Sequence, residues 1–208
     1  MSAATRRPSG RAVGVLAAGA ALALAPLART WALQWGATEA ELDATLAGDD
    51  VVRDPRLVAT RAVTVDAPAR DVWPWLAQIG QDRGGFYSYD VLENLLGLGI
   101  RSADRVEEQW QDLRPGDEVR LSSSAVLAVS VVDPPHALVL VAPDASFSWS
   151  FTLHPGRDRT TRLVVRERYA RPRPWAVPLD EAVAAVSTVM TRRMLLGIRD
   201  RAERHARR

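Results

Sequence analysis

The alternating run Leu57 to Asp66 (LVATRAVTVD), continued at once by Val72 to Gly97 (VWPWLAQIGQDRGGFYSYDVLENLLG), constrains the fold more than any other part of the chain. In the first run Val63 and Val65 flank Thr64, the period of a half-buried strand. In the second, two tryptophans, two tyrosines and Gly84-Gly85 lie between two helix-like segments. Ala67-Pro68 opens the first helix, because proline is tolerated at a first helical position. Pro74 is harmless if that helix starts near Asp71 and kinks it if it starts at Pro68. The second short helix is expected from about Asp90 to Leu96, ending at Gly97.

Residues 115–171 read as antiparallel β structure. Pro115-Gly116-Asp117 turns into strands predicted at Glu118 to Ser122 and Val126 to Val132, and Asp133-Pro134-Pro135-His136 turns into Ala137 to Val141. In Ser146 to Leu153, Phe147, Trp149, Phe151 and Leu153 share one face. Ser146, Ser148, Ser150 and Thr152 share the other, the pattern of a sheet with one wet face. Thr161 to Arg171 continues with Leu163, Val165 and Tyr169 among arginines. From about Pro178 to Arg204 the residues Leu179, Ala182, Val183, Val186, Val189, Met190 and Met194 form a helical apolar stripe. The fold class is therefore α+β: a curved antiparallel sheet wrapped around a long C-terminal helix, with two short helices after the first strand. That shape encloses a cavity.

With 208 residues and 47% hydrophobic content the chain can bury a full core. Every one of its 27 basic residues is arginine, and cysteine is absent, which removes disulfides and thiolate chemistry. The net charge of +2 is unevenly spread. Arg192 to Arg208 is strongly basic, Arg6, Arg7 and Arg11 add to the other end, and the body between is acidic. No basic stripe alternates with aromatics, so nucleic acid is not an expected partner.

Ala12 to Ala28 is apolar and bracketed by arginines. Seventeen residues sit at the lower limit of about 17–25 for a spanning helix. We read residues 1–30 as a retained anchor, with a cleaved signal and an interfacial arm as alternatives. The basic end then stays in the cytoplasm and the domain lies outside. Residues 31–55 read as a connecting segment, in which Thr38-Glu39-Ala40-Glu41 can open a helical turn. Trp31 and Trp35 suit either a membrane interface or the domain surface. Residues 56–208 form the main domain.

The chain resembles the SRPBCC superfamily, the START-like group of polyketide cyclase/dehydrase and lipid-transport proteins, over roughly Val52 to Arg204. The resemblance rests on Asp66-Ala67-Pro68 with Val72-Trp73, on Arg83 to Asp90 (RGGFYSYD) with Glu93-Asn94, and on Gly116-Asp117, Pro134 to Leu138 and Ser148 to Phe151. Upstream, Trp35-Gly36-Ala37-Thr38 and Gly48-Asp49-Asp50 look like a membrane-associated bacterial branch. The resemblance implies a helix-grip fold with a cavity between sheet and C-terminal helix. It implies little about chemistry, since such folds host binders, transporters and enzymes.

Several residues could carry chemistry. Asp90 and Glu93 have helix-compatible spacing, either as an acid–base pair or as a capping box. Tyr87 and Tyr89 could line the cavity mouth and donate to a carbonyl, or simply pack. Arg83 could clamp an anion or form a surface ion pair. Phe147, Trp149 and Phe151 are expected on the sheet wall, faced by Met190 and Met194, whose flexible side chains suit variable ligands. His136, His154 and His205 share no metal-ligand spacing, and no metal or other cofactor is expected. The leading expectation is non-catalytic binding of a small hydrophobic or amphipathic molecule. The alternatives are a cyclase or dehydratase using Asp90 or Glu93 with a tyrosine, and a module with a filled core.

Overall fold

The computed structural model describes residues 24–90, 94, 99–171 and 177–207, with backbone only for 177–185. The chain divides into two compact units, Met1–Ala32 and Leu33–Arg208. In the first, residues 24–32 are helical. Most of Ala12 to Ala28 lies outside the described residues. Among the described residues no helix is long and apolar enough to cross a membrane.

The second unit begins with a short helix, α1 (Glu39–Asp43). Thr38 caps it: its hydroxyl accepts from the Glu41 amide, and the Glu41 carboxylate accepts from the Thr38 amide at 2.8 Å. Strand β1 (Leu57–Val65) leads into α2 (Ala69–Ala77). Pro68 is the residue before the first helical turn, so Pro74 falls inside the helix. The second short helix expected at Asp90 to Leu96 lies outside the described residues except for its first residue and Asn94. After a 3-10 turn at Glu108–Trp110 come β2 (Glu118–Ser122), β3 (Ala125–Asp133), β4 (Ala137–Val141), β5 (Phe147–Pro155) and β6 (Thr161–Tyr169). The chain closes on α3 (Val177–Ala206).

The six strands form one antiparallel sheet in the order β1-β6-β5-β4-β3-β2. Register settles which residues share a face. Glu167 pairs with Trp149 on β5 and with Ala59 on β1, so Phe147, Trp149, Phe151, Leu163, Val165, Glu167 and Tyr169 face the same way. Helix α3 lies across this concave face, where Leu76, Leu138, Leu140, Phe151, Leu195 and Ile198 make the main core. This is the helix-grip architecture.

The opposite face, expected to be wet, is covered. Ser148 and Ser150 are buried, because residues 33–55 lie over them. Leu46 packs on Ala62 and Val164. Trp35 is partly buried against the main core, with the Arg192 guanidinium 5.1 Å over its ring.

Candidate functional site

Between α3 and the open end of the sheet lies a cavity of about 990 Å³. Its walls come from four places. The sheet supplies Phe147 and Trp149 from β5 and Glu167 and Tyr169 from β6. The β2–β3 and β4–β5 hairpins supply Leu121, Leu127 and Pro143. The loop after α2 supplies Phe86 and Ser88, and α3 supplies Val186, Ser187, Met190, Thr191 and Met194. Most of these side chains are apolar, as in small-molecule sites generally. Val186 is 55% exposed and marks the mouth.

The sequence singles out ten residues for this site, and the structure divides them. Phe147, Trp149, Met190 and Met194 line the cavity together. Phe151 shares the face but lies deeper, fully buried, with its ring 4.7 Å from that of Trp149. Tyr87 is turned the other way. Its neighbours Phe86 and Ser88 reach the cavity, whereas Tyr87, at a backbone φ of +57°, is buried in the core. Its hydroxyl donates to the Trp75 carbonyl at 3.1 Å, and Arg201 sits 5.0 Å over its ring. Burial pushes the Tyr87 phenol pKa far up.

Arg83 donates to the carbonyls of Ala77 and Trp110, both at 2.9 Å, and so caps the end of α2. Burial pulls its pKa down. Tyr89 is exposed, with the Arg193 guanidinium 5.9 Å from its ring centre. Asp90 accepts from the Ser102 amide at 2.9 Å and the Ser102 hydroxyl at 2.6 Å, which closes the intervening loop. Glu93 lies outside the described residues. The structure therefore brings the aromatic and methionine wall together, and it engages Arg83, Tyr87 and Asp90 elsewhere.

The polar part of the cavity is not among those ten residues. Glu167 is buried in its wall, and its two oxygens accept from four side chains. Arg61 Nη1 donates to Oε1 at 3.2 Å, Thr191 to Oε1 at 2.7 Å, Tyr169 to Oε2 at 2.9 Å, and Ser187 to both, at 2.9 and 2.7 Å. Burial first, and then the adjacent carboxylate, push the Tyr169 phenol pKa far up, so it stays a neutral donor. A buried ion pair needs further hydrogen bonds to offset its desolvation, and these hydroxyls supply them. A signal was present: Glu167 is in phase with Leu163 and Val165, and Arg61 with Val63 and Val65. Opposite charges thus occupy core-facing positions of neighbouring strands. With its lone pairs taken, Glu167 is poorly placed to abstract a proton.

No family model matches the chain, and no curated protein matches it. Solved structures share its outline. It is similar to CalC, a self-sacrificing resistance protein of Micromonospora echinospora, at 14% identity and a TM-score of 0.46, over 74% of this chain and 97% of that one. It is similar to a Nitrosospira multiformis protein at 17% identity and a TM-score of 0.44, over 73% of this chain and 100% of that one. It is also similar to the Polyketide_cyc-like protein of Corynebacterium glutamicum, at 13% identity and a TM-score of 0.36, over 72% of this chain and 89% of that one.

Proposed function

We propose that the protein binds a small apolar or amphipathic molecule between α3 and the sheet and does not transform it. The observation that supports this is the space itself: about 990 Å³, walled by rings, methionines and aliphatic side chains, with one buried polar cluster. A filled core would leave no such volume, since protein interiors pack as densely as organic crystals. Among the described residues a cyclase or dehydratase reading gains nothing from the geometry. The Asp90 carboxylate is bonded to Ser102 and the Tyr87 hydroxyl to Trp75, and neither residue lines the cavity. Saturable one-to-one binding of the neutral apolar dye Nile red is expected, with emission shifted to the blue. Long-chain compounds should compete with it. A protein that takes up neither dye nor chain, and from which native mass spectrometry releases no small molecule, overturns the reading.

We propose further that residues 12–28 tether the domain to a membrane with the domain outside the cytoplasm. The whole chain should then pellet with membranes and resist extraction by high salt. Release into the soluble fraction by salt alone refutes this tether and leaves the cavity reading untouched.

A further inference from the structure

Resting on the reading that the cavity holds a ligand, the hydrogens around Glu167 say what kind. A hydroxyl carries one hydrogen and two lone pairs. Ser187, Thr191 and Tyr169 each direct that hydrogen to Glu167. Toward the cavity these three groups therefore present lone pairs only. Ser88, the other interior hydroxyl of the wall, donates to the Met190 carbonyl at 3.2 Å. Ser122 and Ser124 bond to each other at the exposed rim.

Charge narrows the choice. Arg61 neutralises Glu167 and does not itself line the cavity. An ammonium would lose its water with no counter-charge left among the described residues to meet it, and a carboxylate would face lone pairs. A ketone or ether has no hydrogen to donate and offers the hydroxyls nothing. We infer that the cavity selects a neutral apolar molecule carrying a hydroxyl group. That hydroxyl donates to the lone pairs of Tyr169, Ser187 or Thr191.

The test is a matched chain series displacing Nile red from the intact protein: 1-dodecanol, dodecyl methyl ether, dodecylamine and dodecanoate. Dodecanol is expected to bind roughly tenfold more tightly than the ether, the size of one net hydrogen bond, and more tightly than the amine and the acid. Tyr169→Phe and Thr191→Val should each lower the alcohol-to-ether ratio while the dye still binds. A ratio below about threefold in the unmodified protein overturns the inference, as does a ratio that none of Tyr169→Phe, Thr191→Val and Ser187→Ala lowers. The unmodified protein decides the matter even where a variant fails to fold. Equal binding of the whole series leaves the cavity reading standing and removes only the hydroxyl preference. Failure of dye and chains alike removes both.

Discussion

The convex face of the sheet is closed by arginines, and the concave face is held open by what is missing from it. On β6, Arg162, Arg166 and Arg168 point outward and fasten residues 33–55 to the sheet. Arg166 donates to the Asp49 carboxylate at 2.7 Å, to the carbonyls of Glu41, Leu42 and Ala44, and to Thr60. Arg168 reaches Val52 O and Asp49, and Arg162 reaches Glu41. On the inward positions of the same strand, Leu163 and Val165 enter the core while Glu167 and Tyr169 border empty space. One strand thus serves two opposite ends. Its outer side is bonded to residues 33–55, while part of its inner side borders open space.

The largest effect is expected at Arg166, on the convex side. Replacing it with Met removes the group that answers three carbonyls and half of a buried ion pair. Loss of about 3 kcal/mol of stability is expected, at the lower end for a broken buried pair because Arg168 still meets Asp49. Urea denaturation measures this. A loss below about 0.5 kcal/mol, ordinary for a surface site, would mean that the convex layer holds nothing together.

Gly48 probes the same face by adding volume instead of removing charge. It sits at a φ of +85°, and a Cβ there would lie 2.5 Å from Val139 Cγ1. Gly48→Ala therefore combines a left-handed backbone with overpacking, and about 2 kcal/mol of destabilisation is expected. Thermal unfolding reads it as a drop in Tm. An unchanged Tm would show that residues 44–52 lift freely from the sheet.

Phase along a strand is legible in this sequence, and depth is not. The alternation of Ser146 to Leu153 assigns Phe147, Trp149 and Phe151 to one side correctly, yet two of them border the cavity and the third lies under its floor. Period-two patterning records a face and carries no information about distance from an opening. The polar loop after α2 misleads for a related reason. Neighbourhood in sequence sets Tyr87 and Tyr89 at the mouth, but a positive φ turns Tyr87 inward. There α3 approaches so closely that a Cβ on Gly197 would lie 2.1 Å from the Tyr87 carbonyl. The burial of Ser148 and Ser150 depends on a segment about a hundred residues earlier. No local pattern encodes such a contact. Arg61 and Glu167 differ from these cases, because their phase among core-facing residues is visible in the strands themselves.

Acid should loosen the convex layer. Arg162, with help from the Thr38 amide, holds the Glu41 pKa down at about 2 from an ordinary 4.5. A carboxylate whose folded pKa is depressed stabilises fully above its unfolded value, and that contribution fades as pH falls through the folded one. Allowing for partial solvent screening, about 2 kcal/mol should be lost between pH 5 and pH 2. Glu41→Gln should already lack this amount at pH 7 and show a flatter acid limb. If both proteins lose stability in parallel below pH 5, the Glu41–Arg162 pair contributes nothing.

The smallest effect on stability is expected where volume is added to the concave side. Met190 lines the cavity from α3, where its sulfur accepts a 3.6 Å contact from the Ser88 hydroxyl. A tryptophan there projects into about 990 Å³ that no described side chain claims. Overpacking needs a neighbour to be displaced, and here the displaced volume is empty. Stability should move by less than about 1 kcal/mol, while Nile red binding falls at least tenfold because the added ring occupies the ligand's place. One extra methyl group at Gly48 on the convex face should therefore harm the fold more than an indole on the concave one. A Met190→Trp protein that is destabilised as much as Gly48→Ala would mean that the space beneath α3 closes in solution. Unchanged dye binding in a stable Met190→Trp protein would place the ligand elsewhere.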